Sequence, residues 1–502
     1  MKLNKINPYL LVLLIFALVM RVYRLGELPS GIFYDEAATG YDAYSILKTG
    51  RDLHGNFLPA LMNHHNTDYV EPMYTYLTVP FVSIFDLSVF STRFLAAVIG
   101  TLTILSTYLF AKELFNEKVG LISALLLAVS PWHLQFSRIA FNSILVPFFV
   151  TLGLFFLLRS LQRPRLFIVS ALVFGLSLYT YAIMKLVAPA ILFLFFCFYF
   201  KEIRNRRAVQ YPFISLLIFF LLTTPIYYLS FFGGGNKRFQ QVSIFTPSSD
   251  PLNGFASNLL SHLSPSFLFI NGDANLRHGL PGFGQVLIVL APFIFLALFF
   301  FIYKQKKEGL FLVSSFIVGI IPASLTREGV PHALRSISAV PFLEIIAAYG
   351  IFLLYEHLKN REKYIRITVT ILVGLALVSN IAFFMHAYFV KYPLVSEDWF
   401  GFGIEETITY TEEHSSDYDH IILTRAINQP YIFPLFFAKI EPSKFQSGGD
   451  MGKYAVCTED IDECYEYSGK NLFIVRPGEL SGKSIKKNIY NNKGQVVLKI
   501  VE

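Results

Sequence analysis

Apolar residues recur along this chain in long blocks rather than in alternation. A helix needs about 20 mostly apolar residues to cross a bilayer. Runs of that kind occur at 8–25, 92–111, 119–136, 141–158, 166–183, 186–200, 211–231, 285–303, 309–325, 336–355 and 367–389, and they predict eleven spanning helices. A further apolar stretch, 72–90, contains Pro72, Pro80 and Asp86; whether it crosses decides the sidedness of everything after it. The polar breaks answer that. Basic clusters fall at Lys112/Lys118, Arg159/Arg163/Arg165, Lys201/Arg204/Arg206/Arg207, Lys304/Lys306/Lys307 and Lys359/Arg361/Lys363/Arg366, in every second loop. If 72–90 stays on the surface, all sixteen share a side with Lys2 and Lys5; if it crosses, all sixteen lie opposite. Cytoplasmic loops carry the excess of Lys and Arg. The pattern therefore predicts an interfacial or re-entrant helix at 72–90, with Tyr74 and Tyr76 at headgroup depth. The N-terminus then lies inside and the C-terminus outside.

Composition narrows the class. Hydrophobic residues make up 54% of the 502 and charged residues 15%, where a soluble domain carries roughly 25% charge. Mean hydropathy is +0.51. These values exclude disorder, a coiled coil and a cytosolic globular enzyme. The net charge of +7 sits in short clusters between apolar runs, so it sets topology and does not point to nucleic acid. Three cysteines exclude a disulfide scaffold and a four-cysteine metal site. The first apolar run, Pro8 to Leu25, has no small-residue cleavage site after it, which predicts a retained anchor.

Three outward segments are too long to be simple connectors: 26–91, 232–284 and 390–502. The middle one is rich in Gly, Pro and Ser without a period. The last has an acidic helical piece, Glu405 to His414, and strand-like runs at 420–425, 431–438, 471–476 and 495–501. The expected organisation is a polytopic α-helical membrane domain, 1–389, followed by a small extracytoplasmic α/β domain, 390–502. Cys457 and Cys464 lie in that outer domain; an oxidising compartment permits a disulfide between them, and two buried small hydrophobes fit equally.

Charges near a bilayer are costly, so each is a functional candidate. The densest group is in the first outer loop. Phe33-Tyr34-Asp35-Glu36-Ala37 opens an expected helix from Glu36 to Thr49, which Gly50 would end. Asp35 and Glu36 suit either substrate chemistry or the N-terminal dipole of that helix. His64, His65, Asp68 and Glu71 follow; imidazole and carboxylate suit a divalent metal, and a solvated polar loop explains them as well. Outward basic residues are few: Arg138 after Ser130-Pro131-Trp132-His133-Leu134-Gln135-Phe136-Ser137, Lys185 between two apolar runs, and Arg327, His332 and Arg335 in one short loop. They fit headgroups, internal ion pairs, or a phosphorylated lipid, whose oxygens match an arginine fork.

Tyr34-Asp35-Glu36 after a first span, then Glu71-Pro72-Met73-Tyr74-Thr75-Tyr76-Leu77, then Ser91-Thr92-Arg93-Phe94 opening the next span, resembles the membrane glycosyltransferases of the GT-C fold. The protein O-mannosyltransferases of glycosyltransferase family 39 and the aminoarabinose lipid A transferases are most alike. Ser130-Pro131-Trp132 with Phe136-Ser137-Arg138 is similar too. The likeness is good over roughly 8–200 and continues later only in pattern. It implies transfer of a sugar from a polyprenyl-phosphate donor to a lipid, glycan or protein acceptor on the outer face, with the anomeric centre inverted. It also implies a catalytic carboxylate at Asp35, with Glu36 orienting or binding. Tyr34, Glu71, Arg138, His332 and Arg335 become substrate contacts, and a divalent metal is compatible. Where the aminoarabinose transferases carry Glu-Lys-Pro, this chain reads Val70-Glu71-Pro72, so an arginine or a metal would have to meet the phosphate. A glycan ligase or polymerase, and a lipid or solute transporter, are the rival classes.

Overall fold

A computed structural model describes residues 7–64, 68–204, 210–245, 250–465 and 468–502. Lys2, Lys5, Arg206 and Arg207 of the topology argument lie outside the described residues. The chain forms two compact units, both discontinuous in sequence. The first comprises Met1–Tyr23, Tyr69–Glu71 and Ala96–Tyr388; the second comprises Arg24–Asp68, Pro72–Leu95 and Phe389–Glu502.

Seven described helices are long and apolar enough to cross a membrane: Val89–Leu114, Asn142–Ser160, Met184–Arg204, Gln210–Phe232, Lys307–Ser324, Ile337–Lys359 and Lys363–Val395. Pro8–Val22, Met73–Phe85, Leu166–Ser177 and Ile288–Tyr303 are shorter apolar helices. The chain is a multi-pass membrane protein. Each expected apolar run carries a helix, but 119–136 is interrupted: Glu117–Val129 ends at Ser130, and Pro131–Phe136 starts anew. Proline disfavours the helical region for the residue before it, and Ser130 is extended at ψ 126°. At 72–90, Met73–Phe85 stops at Asp86, where φ turns to +59°. Thirteen residues rise about 20 Å, short of the roughly 30 Å hydrocarbon core.

In the first unit, Leu166–Ser177 packs against Leu145–Ser160 and Gln210–Phe232, and Val340–Lys359 packs against Ala291–Tyr303 and Glu117–Val129. Gly350 permits the closest approach, since a Cβ there would meet the Phe293 carbonyl oxygen at 1.9 Å. Outward faces such as Phe213, Leu217, Phe220, Leu221, Ile371 and Leu375 are exposed, as lipid-facing positions are.

The second unit is built on a sheet. In chain order the strands of the protein are β1 (Met62–His64), β2 (Asp68–Val70, of which Tyr69 and Val70 belong to the first unit), β3 (His420–Leu423), β4 (Tyr454–Val456), β5 (Asn471–Val475), β6 (Ile485–Tyr490) and β7 (Val496–Val501). The last five form one sheet in the order β4-β3-β5-β7-β6. β3 runs parallel to β4 and β5, and β7 is antiparallel to β5 and β6. Ile421 faces Leu472 across one ladder and Ile474 faces Ile500 across another. The helix Ile404–Glu413 agrees with the expected acidic helix. The strand-like run 431–438 does not become a strand: Ile432–Phe437 is a helix. A short apolar run has no distinguishing period, and Pro434 cannot donate to a ladder. In a first helical turn its missing N–H costs nothing. Cys457 and Cys464 are joined by a disulfide and pack with Ile422, Phe473 and Val475.

Candidate active site

Each unit holds a buried ionic centre. In the second unit, Tyr34–Thr49 forms the expected helix, begun two residues early and closed by Gly50 at φ +72°. Ala37, Ala38 and Ala43 suit its buried face. Gly40 lets it lie against its neighbours, since a Cβ would sit 2.4 Å from Thr92 Oγ1 and 2.6 Å from Phe436. Asp35 and Glu36 occupy the first turn. Asp35 is half-buried and Glu36 fully buried. Glu36 accepts two hydrogen bonds from Arg93, each of 2.8 Å, in a bidentate pair. Arg93 also donates to the carbonyls of Pro29 at 2.9 Å and Gly31 at 2.7 Å. Arg93 thereby ties the segment leading into Tyr34–Thr49 to the start of Val89–Leu114. It was legible only as part of Ser91-Thr92-Arg93-Phe94; its partner was not.

His64, in β1, sits 3.1 Å from Asp42, whose other oxygen accepts the Leu53 N–H at 2.7 Å. His65 and the side chain of Asp68 lie outside what the structure describes. Tyr34 packs edge-on to Phe33.

In the first unit, the Ser130–Arg138 stretch acts as scaffold. Trp132 donates from its indole to the Ala333 carbonyl at 3.0 Å, and its backbone N–H donates to Gln285 at 3.1 Å. Gln135 donates to the Arg277 carbonyl at 3.0 Å, and Phe136 stacks on His278. Two loops are thereby fixed, and they bring together Asp273, His278 and His332, all buried. Their ligand atoms lie within 4.8 Å of one another. Asp273 accepts from His278 Nδ1 at 2.9 Å and from the Ala333 N–H at 2.8 Å. Facing a carboxylate, His278 Nδ1 carries the proton, which leaves Nε2 as the lone-pair nitrogen; a carboxylate oriented on a histidine in this way is typical of metal sites. His332 Nδ1 is buried with no hydrogen-bond partner among the described residues. Its backbone N–H donates to His262 Nε2 at 2.9 Å, and His262 Nδ1 lies 2.7 Å from the Asn258 carbonyl. Both His262 nitrogens are thus assigned in the neutral ring. Burial lowers the pKa of His262 and His278 and pushes His332 well below its ordinary value. Nearby Arg335 acts in the same direction on the latter two. Neutral imidazoles are the metal-binding form. Among the described residues this is the group able to hold a metal ion; the sequence offered His332 without its two partners.

The cations divide into two kinds. Arg138 is fully buried and donates to the carbonyls of Met20, Arg21 and Tyr23 at 2.8–2.9 Å. It clamps the end of Pro8–Val22, whose last carbonyls lack helical partners. Arg335 donates to Thr326 Oγ1 at 3.0 Å and the Glu328 carbonyl at 3.1 Å. Glu328 in turn accepts from Arg238 at 2.9 and 3.1 Å. Glu71 pairs with Lys185 at 2.8 Å.

Solved structures share this fold. ArnT from Cupriavidus metallidurans in the apo state matches with a TM-score of 0.61, 10% identity, and 98% of both chains covered. ArnT from the same organism bound to undecaprenyl phosphate gives 0.56 at 11% identity, over 98% of this chain and 97% of that one. The archaeal oligosaccharyltransferase AglB from Archaeoglobus fulgidus, in complex with an inhibitory peptide and a dolichol-phosphate, gives 0.53 at 16% identity. That match covers 87% of this chain and 63% of the archaeal one. The chain is therefore a helical membrane protein of ArnT-like fold, and the match takes in its C-terminal sheet. A family model described as dolichyl-phosphate-mannose-protein mannosyltransferase matches residues 69–228. No curated protein matches the sequence.

Proposed function

We propose that this protein is a membrane glycosyltransferase that moves a sugar from a polyprenyl-phosphate carrier to an acceptor on the extracytoplasmic face. The observation that carries the reading is the first-unit cluster of Asp273, His278 and His332 with Arg335 nearby, in a chain of ArnT-like fold. ArnT and AglB are seen with undecaprenyl phosphate and dolichol-phosphate, and such a lipid is the donor carrier proposed here.

Asp35 is the general base. In one displacement the acceptor hydroxyl oxygen bonds to the anomeric carbon while its proton passes to Asp35. The bond from that carbon to the phosphate oxygen breaks, and the electron pair leaves with the phosphate. A single displacement inverts the centre. The buried Glu36–Arg93 pair orients the helix turn that presents Asp35, and Tyr34 lines the acceptor approach. Arg335 and His332 serve the donor phosphate. Arg138 acts on the site through the helix end it clamps. A divalent cation would be held by His278 and His332, with Asp273 orienting or joining them, and would supply positive charge beside the donor; an Archaeoglobus fulgidus oligosaccharyltransferase is seen in complex with Zn and sulfate.

Eleven crossings with the N-terminus inside, and residues 390–502 outside, packed with Arg24–Asp68 and Pro72–Leu95 in one unit, complete the reading. The basic clusters support it, as does the Cys457–Cys464 disulfide, since such bonds persist in oxidising compartments. Single cysteines at Lys201 and Lys304 should resist membrane-impermeant thiol reagents in intact cells, and ready labelling of both would overturn this sidedness. Purified protein should transfer radiolabelled sugar from a prenyl-phosphate donor; a transporter would leave the donor bond intact.

A further inference from the structure

We propose that Lys185, held in place by Glu71, is an anion-binding residue that grips the phosphate of the lipid-linked donor; this rests on the glycosyltransferase reading above. Lys185 opens the helix Met184–Arg204. Its side chain is 11% exposed and that of Glu71 4%. The Lys185 backbone is fixed by Tyr227, whose hydroxyl donates to its carbonyl at 2.6 Å.

An ammonium has three protons to donate, and enclosing it costs several kcal/mol unless they are matched. Here one carboxylate oxygen lies at 2.8 Å, and the enclosed Nζ makes no further hydrogen bond among the described residues. This leaves donor capacity buried, unlike Arg93, whose nitrogens are covered by a carboxylate and carbonyls. The surroundings have the matching charge. Tyr181, four residues earlier, interacts with both Glu71 and Arg335, and Arg335 and Arg238 share Glu328. The oxygens of a phosphate group are the acceptors that Nζ lacks.

A purely structural ion pair would use the same contact, so the test measures ligand preference as well as stability. Full-length protein in nanodiscs would be titrated with polyprenyl phosphate, polyprenol and phosphatidylglycerol. The unaltered protein is expected to prefer the phosphate over the alcohol. Lys185→Met should reduce that preference about 10- to 100-fold, the range for a hydrogen bond to a charged group, and Lys185→Arg should keep most of it. Glu71→Gln removes the one counter-ion of Lys185 among the described residues, so it should lower the Tm of free protein and enlarge the Tm gain on adding polyprenyl phosphate. A structural pair predicts lower Tm from either change and an unaltered preference. If Lys185→Met does not fold, the double variant Lys185→Met/Glu71→Gln, which removes both charges together, gives the same ratio. An unchanged ratio in a folded variant overturns the role of Lys185 alone. Phosphatidylglycerol binding as tightly, with the same dependence on Lys185, would also overturn it in favour of a general headgroup site. No preference for phosphate in the unaltered protein would overturn the donor reading together with it.

Discussion

The two buried ionic centres differ in how completely their polar atoms are matched. Around Arg93 in the second unit, a bidentate carboxylate and backbone carbonyls cover the guanidinium. In the first unit, the Asp273 carboxylate is matched, but His332 Nδ1 beside it faces no hydrogen-bond partner among the described residues, and at a separate ion pair Lys185 Nζ has one carboxylate oxygen, that of Glu71. Matched charge holds a fold together, because removing either partner leaves an expensive buried ion. Unmatched capacity in an enclosed site is where a ligand or metal gains most. Glu36–Arg93 thus has the pattern of architecture, and the proposed chemistry falls to the histidines and Lys185.

Asp35 tests the boundary of that division, because it adjoins the saturated pair yet is given a chemical role. Asp35→Asn is nearly isosteric and should lower turnover at saturating donor about 10²–10⁴-fold, or roughly 3–5 kcal/mol of barrier, with Tm nearly unchanged. Retention of more than about a tenth of wild-type turnover would move the role elsewhere. The opposite signature is expected from Arg93→Met, which strands Glu36. It should destabilise the protein by about 3–5 kcal/mol, seen in thermal melts, and Arg93→Met/Glu36→Leu should recover most of that loss. Equal Tm for the single and double variants would break the architectural assignment. His278→Ala and His332→Ala should each abolish stoichiometric zinc retention, measured by metal analysis after dialysis. Asp273→Asn should weaken it by the 10- to 100-fold typical of an orienting partner. Metal content that is low and equal in all three and in the unaltered protein would remove the metal from the reading. The smallest effect belongs to Cys457→Ser/Cys464→Ser. Opening a loop of this length costs about 2 kcal/mol, which should appear as a lower Tm and leave donor binding unchanged.

Several features were legible because they are local. Gly50 closes a helix where its position in the chain predicted, since a residue without Cβ accepts the left-handed turn. Apolar blocks announced their helices because a bilayer demands about 20 such residues in succession. The run 431–438 shows where locality fails, since apolar content without a period fits either element, and Pro434 decided it. The helix break at Ser130 lies inside an apolar run, where Pro131 is its local signal.

The sequence alone determined the membrane class, the helical blocks and the helix that follows Tyr34. All of these are read along the chain within a few turns. Only the tertiary structure decided which charges meet. Glu36 is 57 positions from Arg93, and His332 is 60 or fewer from Asp273 and His278. No periodicity encodes such pairs. The energy of a buried charge depends on what surrounds it in space, so the same arginine can clamp a helix end at Arg138 or stand beside histidines at Arg335.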